Sequence, residues 1–412
     1  MKMKSQRNMV KEMIVSFNLT RIKSFLKTAF CISGIMTGSG VFADILLKEP
    51  GLDGVVSLLP ENQKKIMQFE KPEDRRAELE RDKKLKKFYF SPDAAWSRSK
   101  PVRFSWECSA GEKGPFLITI SESPHFSDPV VFFVKDAKST DLTKGNFKVG
   151  TRYFWKIRGY DQADPRKRKK VESAPSSFMT EDLPPRWISE KSMRHVRDIG
   201  GYRTENGKRV RQGLAFRGQG LNLNSIDGEI PGETWLTLRS VEELTKRQGI
   251  RTDLDLRTLR EAGNTTTSPL GGSIRYIRNG DAAGSPHYKG IFSPAGMKTM
   301  AANFRVFCDR DNYPIYFHCV GGADRTGSLA FVLCGILGVT KKDLATGWEH
   351  RFYPDLPEDS PENWRRYRHL TDGMLKYGKK GDPLKKRIEL YLLDCGVKPE
   401  EIVKFRSIML EK

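Results

Sequence analysis

Cys319 and Arg325 stand with five residues between them in the run Tyr-Phe-His-Cys-Val-Gly-Gly-Ala-Asp-Arg-Thr-Gly-Ser, residues 316–328. A thiol followed at that spacing by a guanidinium can act on a tetrahedral dianion. Val320, Gly321, Gly322, Ala323 and Asp324 would curl between them. The two glycines let successive backbone N–H groups turn inward without a Cβ clash. Cys319 at the mouth of that nest, facing Arg325, is placed to attack phosphorus as a thiolate and form a phosphocysteine that water then hydrolyses. Arg325 offers a planar fork matched to two phosphoryl oxygens and to the charge that develops in the transition state. Thr326 is positioned to give its hydroxyl to the departing thiolate, and His318 to prop the loop by hydrogen bonds.

The elements that must hold this loop can be read from its flanks. Residues 315–317 form a short apolar run, and residues 329–337 are apolar nearly all round and stop at Gly338. That order predicts strand, tight loop, buried helix, with the helix N-terminus adding its partial positive charge to the anion site. Upstream, Asn206-Gly207 is a two-residue hairpin turn. Ser240 and Glu243 form a capping box for a helix that Gly249 closes, and residues 250–257 read as a strand. A further strand is expected at 274–277. Met297, Met300, Phe304 and Phe307 recur at helical spacing as a core face. Residues 341–348 and 386–393 read as helices, and Pro399 opens the last one.

The stretch from His318 to Gly327 resembles the signature loop of the cysteine-dependent tyrosine and dual-specificity phosphatases. It is most similar to an atypical bacterial branch whose loop reads His-Cys-x-x-Gly-Lys-Asp-Arg-Thr-Gly, and whose members include secreted tyrosine and phosphoinositide phosphatases. Ala323 replaces the lysine here, which argues against a strong preference for highly phosphorylated inositides. Arg197-Asp198-x-Gly200-Gly201, Phe216-Arg217 and Asp255-Leu256-Arg257-x-x-x-Glu261 resemble the same branch, so the likeness covers residues 187–412. It implies an α/β phosphatase domain that needs neither cofactor nor metal. The six histidines show no metal-ligand spacing either.

Two aspartates remain candidates for the general acid. Asp281 lies in a loop upstream of the anion-binding strand, where the wider family keeps a mobile aspartate. Asp324 lies inside the loop, where the bacterial branch has its catalytic one, and the closer motif match favours it. Asp255 is either a second carboxylate near the site or a strand-end support. Arg197 and Arg217 either line the substrate mouth or form ordinary ion pairs.

The rest of the chain reads as a multidomain protein, an N-terminal all-β sandwich followed by the α/β domain. Seven Lys/Arg precede an apolar run at residues 28–41 that ends Val-Phe-Ala, so residues 1–43 are expected to be a signal peptide directing export to a periplasmic or extracellular space. The formal charge of +21 would become +15 on their removal, which favours anionic partners such as phosphorylated proteins or small phosphomonoesters. Export argues against nucleic acid, and no later stretch is long enough to span a bilayer. Residues 44–87 read as a charged linker. Residues 88–182 alternate in short strands, and Tyr153, Trp155 and Ile157 share one face, a pattern that resembles a fibronectin type III or immunoglobulin-like sandwich. Arg166 to Lys170 is a basic run expected in a hairpin loop, where it could meet an anionic surface. Leu183-Pro184-Pro185 marks the boundary with the phosphatase domain, residues 183–412. The five cysteines beyond residue 43 have no regular spacing and predict no disulfide framework.

Overall fold

The computed structural model describes residues 45–69, 72–89, 97–108, 113–135, 139–142, 145–160, 170–189, 192–193, 195–222, 236–263, 265–279, 285–349 and 361–412. Residues 1–43 and residues 166–169 of the basic run lie outside them, and so does Asp281. No helix among the described residues is long and apolar enough to cross a membrane.

The N-terminal part is built from nine strands: β1 (Ile45–Glu49), β2 (Gly54–Val56), β3 (Val102–Cys108), β4 (Lys113–Ser121), β5 (Val130–Val134), β6 (Ser139–Leu142), β7 (Arg152–Tyr160), β8 (Lys170–Glu172) and β9 (Ser176–Thr180). They form a three-stranded sheet, β1-β3-β6, and a six-stranded one, β2-β9-β7-β4-β5 with β8 on β7. The alternation seen in the sequence is the reason. On β7, Tyr153, Trp155 and Ile157 are buried and the residues between them are not. Rings from the two sheets meet edge to face, Phe104 on Trp155 at 5.0 Å and Trp106 on Phe116 at 5.2 Å. One apolar cluster is thus shared by both sheets.

The linker expected over 44–87 is corrected by the fold. β1 runs antiparallel to β3, and β2 parallel to β9, so this segment contributes to both sheets. Ile45 of β1 is buried in the shared apolar cluster, and Val56 of β2 packs against it. Only the charged continuation behaves as its composition suggests, forming the short helices α1 (Glu61–Met67), α2 (Pro72–Arg81) and α3 (Lys83–Tyr89).

The two parts meet at Asn146, whose φ is +43°. Its side chain donates to Glu243 Oε1 at 2.5 Å and accepts from the Ser189 N–H at 2.9 Å. Its carbonyl accepts from Arg186 Nη2 at 2.8 Å, and Arg186 in turn pairs with buried Asp198 at 3.0 Å. Trp187, also at this junction, is fully buried.

The C-terminal sheet has five strands: β10 (Arg197–Asp198), β11 (Ala215–Gly218), β12 (Thr252–Asp255), β13 (Arg275–Ile277) and β14 (Ile315–His318). Their order is β10-β11-β14-β12-β13, with β10 antiparallel to β11 and the others parallel. β14 is therefore central, and all four of its residues are buried. The helices are α4 (Leu238–Glu242), which runs on as a π-turn, α5 (Pro294–Val306), α6 (Asp324–Leu337), α7 (Lys341–Glu349), α8 (Pro361–Met374), α9 (Leu384–Asp394) and α10 (Pro399–Met409). This is the mixed α/β architecture expected of a phosphatase domain. α4 begins earlier than the capping box suggested: Thr237 is its cap and accepts from the Ser240 N–H. α8 was not anticipated, although Tyr367, Leu370 and Met374 make its buried face at helical spacing.

Candidate active site

β14 ends at His318, residues 319–323 turn, and α6 starts at Asp324. The order strand, loop, buried helix is as the sequence predicts. Gly322 adopts φ +69°, and a Cβ there would lie 2.3 Å from the Gly218 carbonyl oxygen. Only glycine fits that close approach to β11. Three bonds fix the turn from neighbouring elements. The Gly220 N–H donates to the Val320 carbonyl at 2.7 Å, Arg217 Nη2 to the Gly322 carbonyl at 3.0 Å, and the Gly327 N–H to the Ala323 carbonyl at 2.7 Å. Gly321 sits at the turn between them, half-buried like Val320.

Below the loop lies a closed polar floor. His318 is fully buried; its Nδ1 donates to the Cys319 carbonyl at 3.1 Å and its Nε2 to Asp253 Oδ1 at 2.9 Å. Burial alone would lower the imidazole pKa, but Asp255 and Asp253 outweigh it and the net shift is upward. Both ring nitrogens face acceptors, consistent with an imidazolium. Asp255 takes the strand-end role: it accepts from Arg257 Nε at 2.9 Å, from Arg257 Nη2 at 2.7 Å and from Tyr276 Oη at 3.0 Å. Burial pushes its carboxyl up, yet the charges of His318 and Arg257 hold it at about 2. Asp255 and Arg257 have no exposed side-chain surface.

The mouth of the loop is different. Cys319, the first residue past the strand, keeps 4% of its surface exposed. Arg325 is gripped by Glu261 in a two-pronged pair, Nη1–Oε2 at 2.6 Å and Nη2–Oε1 at 2.7 Å. Glu261 also accepts from the Thr258 N–H at 2.8 Å. Partial burial raises its pKa, but the Arg325 and Thr258 bonds prevail and set it at about 2. This grip orients the guanidinium before any anion arrives. Thr326 Oγ1 is buried and has no hydrogen-bond partner among the described residues. Asp324 pairs with Arg366 of α8 at 3.1 Å.

The structure therefore brings Cys319, Arg325, Asp324, Thr326 and His318 to one loop, with Asp255 beneath it. It does not bring Arg197 there. That guanidinium is fully buried against Trp187, 5.3 Å from the ring, and donates to the carbonyls of His195 and Gly347. Burial depresses its pKa to about 10. Its influence on the loop is indirect, through the β10–β11 pairing that sets Arg197 opposite Arg217. Sequence reasoning quoted Glu261 within a motif without giving it a role, and missed Arg366 altogether.

A strand-anchored Cys-x5-Arg loop with a buried imidazolium below it and a clamped guanidinium above is suited to holding a phosphoryl group against a thiol. Residues 188–349 match the model of the tyrosine phosphatase family. That match contains the whole loop and its floor, and the protein is a phosphoric monoester hydrolase of the tyrosine-phosphatase-like class. A search of curated proteins finds no match. Among solved structures, the chain is similar to the core catalytic domain of the PP-IP phosphatase SIW14 from S. cerevisiae, determined in complex with citrate. The identity is 12%, the match covers 40% of this chain and 88% of that one, and the TM-score is 0.24.

Proposed function

We propose that this protein hydrolyses phosphotyrosine or related phosphomonoesters through a phosphocysteine intermediate. The observation that carries this reading is the Arg325–Glu261 clamp, which fixes the orientation of the guanidinium at the end of the loop that Cys319 begins. The Cys319 thiolate attacks phosphorus and the P–O bond to the leaving group breaks. Asp324 supplies the proton that the leaving oxygen needs. Water then attacks the phosphocysteine and gives its proton to Asp324. The S–P bond breaks as the Thr326 hydroxyl stabilises the departing thiolate.

A second reading, hydrolysis of inositol phosphates or phosphoinositides, is favoured by the net charge of +21. Ala323 in the loop speaks for the first. We further infer that residues 1–43 direct export and that the two-sheet part is a fibronectin type III-like module, a reading supported by its aromatic Tyr-x-Trp-x-Ile strand. The basic run ending at Lys170 would let that module meet an anionic surface.

Turnover of p-nitrophenyl phosphate in reducing buffer tests the mechanism. Wild type should release phosphate, Cys319→Ser should not, and rapid quenching should trap a phosphoenzyme in wild type alone. Equal turnover by Cys319→Ser would refute the phosphocysteine route. Asp324→Ala should slow phosphotyrosine, whose leaving group needs a proton, far more than p-nitrophenyl phosphate. If the two fall equally, the acid is elsewhere, and Asp281→Ala is the variant to examine.

A further inference from the structure

Asp324 is engaged at the mouth of the site. Arg366 Nη1 donates to its two carboxylate oxygens at 3.1 and 3.4 Å. The Arg366 side chain keeps 21% of its surface exposed, and that of Asp324 keeps 32%. The guanidinium lies over the Tyr288 ring at 5.4 Å, and Tyr288 stacks on His369, one turn along α8 from Arg366, at 6.0 Å.

A carboxylate held by a guanidinium accepts hydrogen bonds and has no proton to give. A leaving alkoxide needs a donor. With the acid assigned to Asp324, a reading on which this inference rests, the pair must open during turnover. A substrate can shift that equilibrium only by binding the open state better than the closed one. The group able to do so is a second anion, which the Arg366 fork would grip as it now grips Asp324. The aromatic platform of Tyr288 keeps the guanidinium at the mouth when it lets go of the aspartate.

We propose that Arg366 is a positioning and specificity residue that holds Asp324 until a second anionic group of the substrate takes its guanidinium, so that the protein favours phosphomonoesters with a neighbouring anionic group. Once Arg366 turns to that anion, Asp324 takes a proton from solvent and passes it to the leaving oxygen as the P–O bond breaks. The attacking water restores that proton in the second step.

The test uses the full chain and three substrates. p-Nitrophenyl phosphate has a leaving group that needs little protonation and reports whether the site works at all. Glycerol 2-phosphate has an alkoxide leaving group and no second anion, whereas 2,3-bisphosphoglycerate has both. Wild type should show a higher kcat on 2,3-bisphosphoglycerate than on glycerol 2-phosphate. Arg366→Ala should raise kcat on glycerol 2-phosphate, because the Arg366 hold on Asp324 is removed, and raise KM for 2,3-bisphosphoglycerate by about tenfold or more, the loss of a charge-assisted contact. Arg366→Lys should recover most of that KM. A merely structural role for Arg366 would instead lower kcat on both alkyl substrates together, and that outcome overturns the proposal. So would equal wild-type kcat on the two. Failure of wild type on p-nitrophenyl phosphate would overturn the phosphatase reading itself, and this inference with it.

Discussion

The floor and the mouth of the loop both consist of carboxylates paired with guanidinium or imidazolium groups, yet they are built to opposite ends. Below, Asp255, Arg257 and His318 are sealed from water, and each remaining polar atom has a protein partner. Above, Arg325–Glu261 and Arg366–Asp324 keep between 15% and 32% of their side-chain surface exposed. Buried pairs are stiff because losing one member strands a charge in a low dielectric. Partly solvated pairs exchange partners at little cost. A phosphate site needs both: a base that does not move and a rim that can trade one anion for another.

The largest way to break this contrast is Asp255→Ala. It leaves buried Arg257 without its paired carboxylate and His318 with Asp253 alone, and denaturant unfolding should show a loss of about 3–5 kcal/mol. A loss below about 1 kcal/mol would mean the floor is no stiffer than the mouth. Gly322→Ala comes next. A methyl 2.3 Å from the Gly218 carbonyl, on a left-handed backbone, should destabilise by about 1–3 kcal/mol and abolish vanadate binding. Glu261→Gln sits at the other pole. It should cost about 1 kcal/mol or less of stability, yet weaken phosphate or vanadate binding by roughly tenfold as the fork loses its preset orientation.

The two regions should also answer differently to pH. Asp255, held at about 2 against about 3.9 for a free aspartate, stabilises the fold above about pH 4 and loses that contribution as pH falls toward 2. His318 is shifted upward, so its contribution is complete below about 6.5 and disappears as pH rises through its folded value. Stability from the floor should therefore be greatest between about pH 4 and 6.5 and fall on either side. Replacing His318 with Gln should flatten the alkaline limb. At the mouth, Glu261 gives an acid limb of this kind as pH drops from about 4 toward 2.

Much of the loop was legible because its chemistry is local. The glycines, the cysteine and the arginine fall within ten residues, and the flanking apolar runs name strand and helix. The partners that decide how the loop behaves were not local. Glu261 comes from 64 residues before Arg325, and Arg366 from 42 residues after Asp324. Nothing in a period of 2 or 3.6 says which charged residue will arrive from that far. Arg197 shows the converse: it belongs to a recognisable motif, but burial turned it toward backbone carbonyls. In the β part, the strand-forming face of β7 was plain, whereas β1 and β2 hid in a charged stretch, because their pairing partners lie in β3 and β9.

Asn146 has a consequence for anyone who would handle this protein in pieces. Its single side chain and carbonyl serve Glu243, Ser189 and Arg186 at once, and Arg186 continues to Asp198 beside the catalytic sheet. Cutting the chain at the Leu183-Pro184-Pro185 boundary would strip the cover from these groups and from the indole of Trp187. The β part is then no detachable accessory. Heated in a calorimeter, residues 45–412 should melt in one transition, and the smallest portable enzyme begins at the first strand.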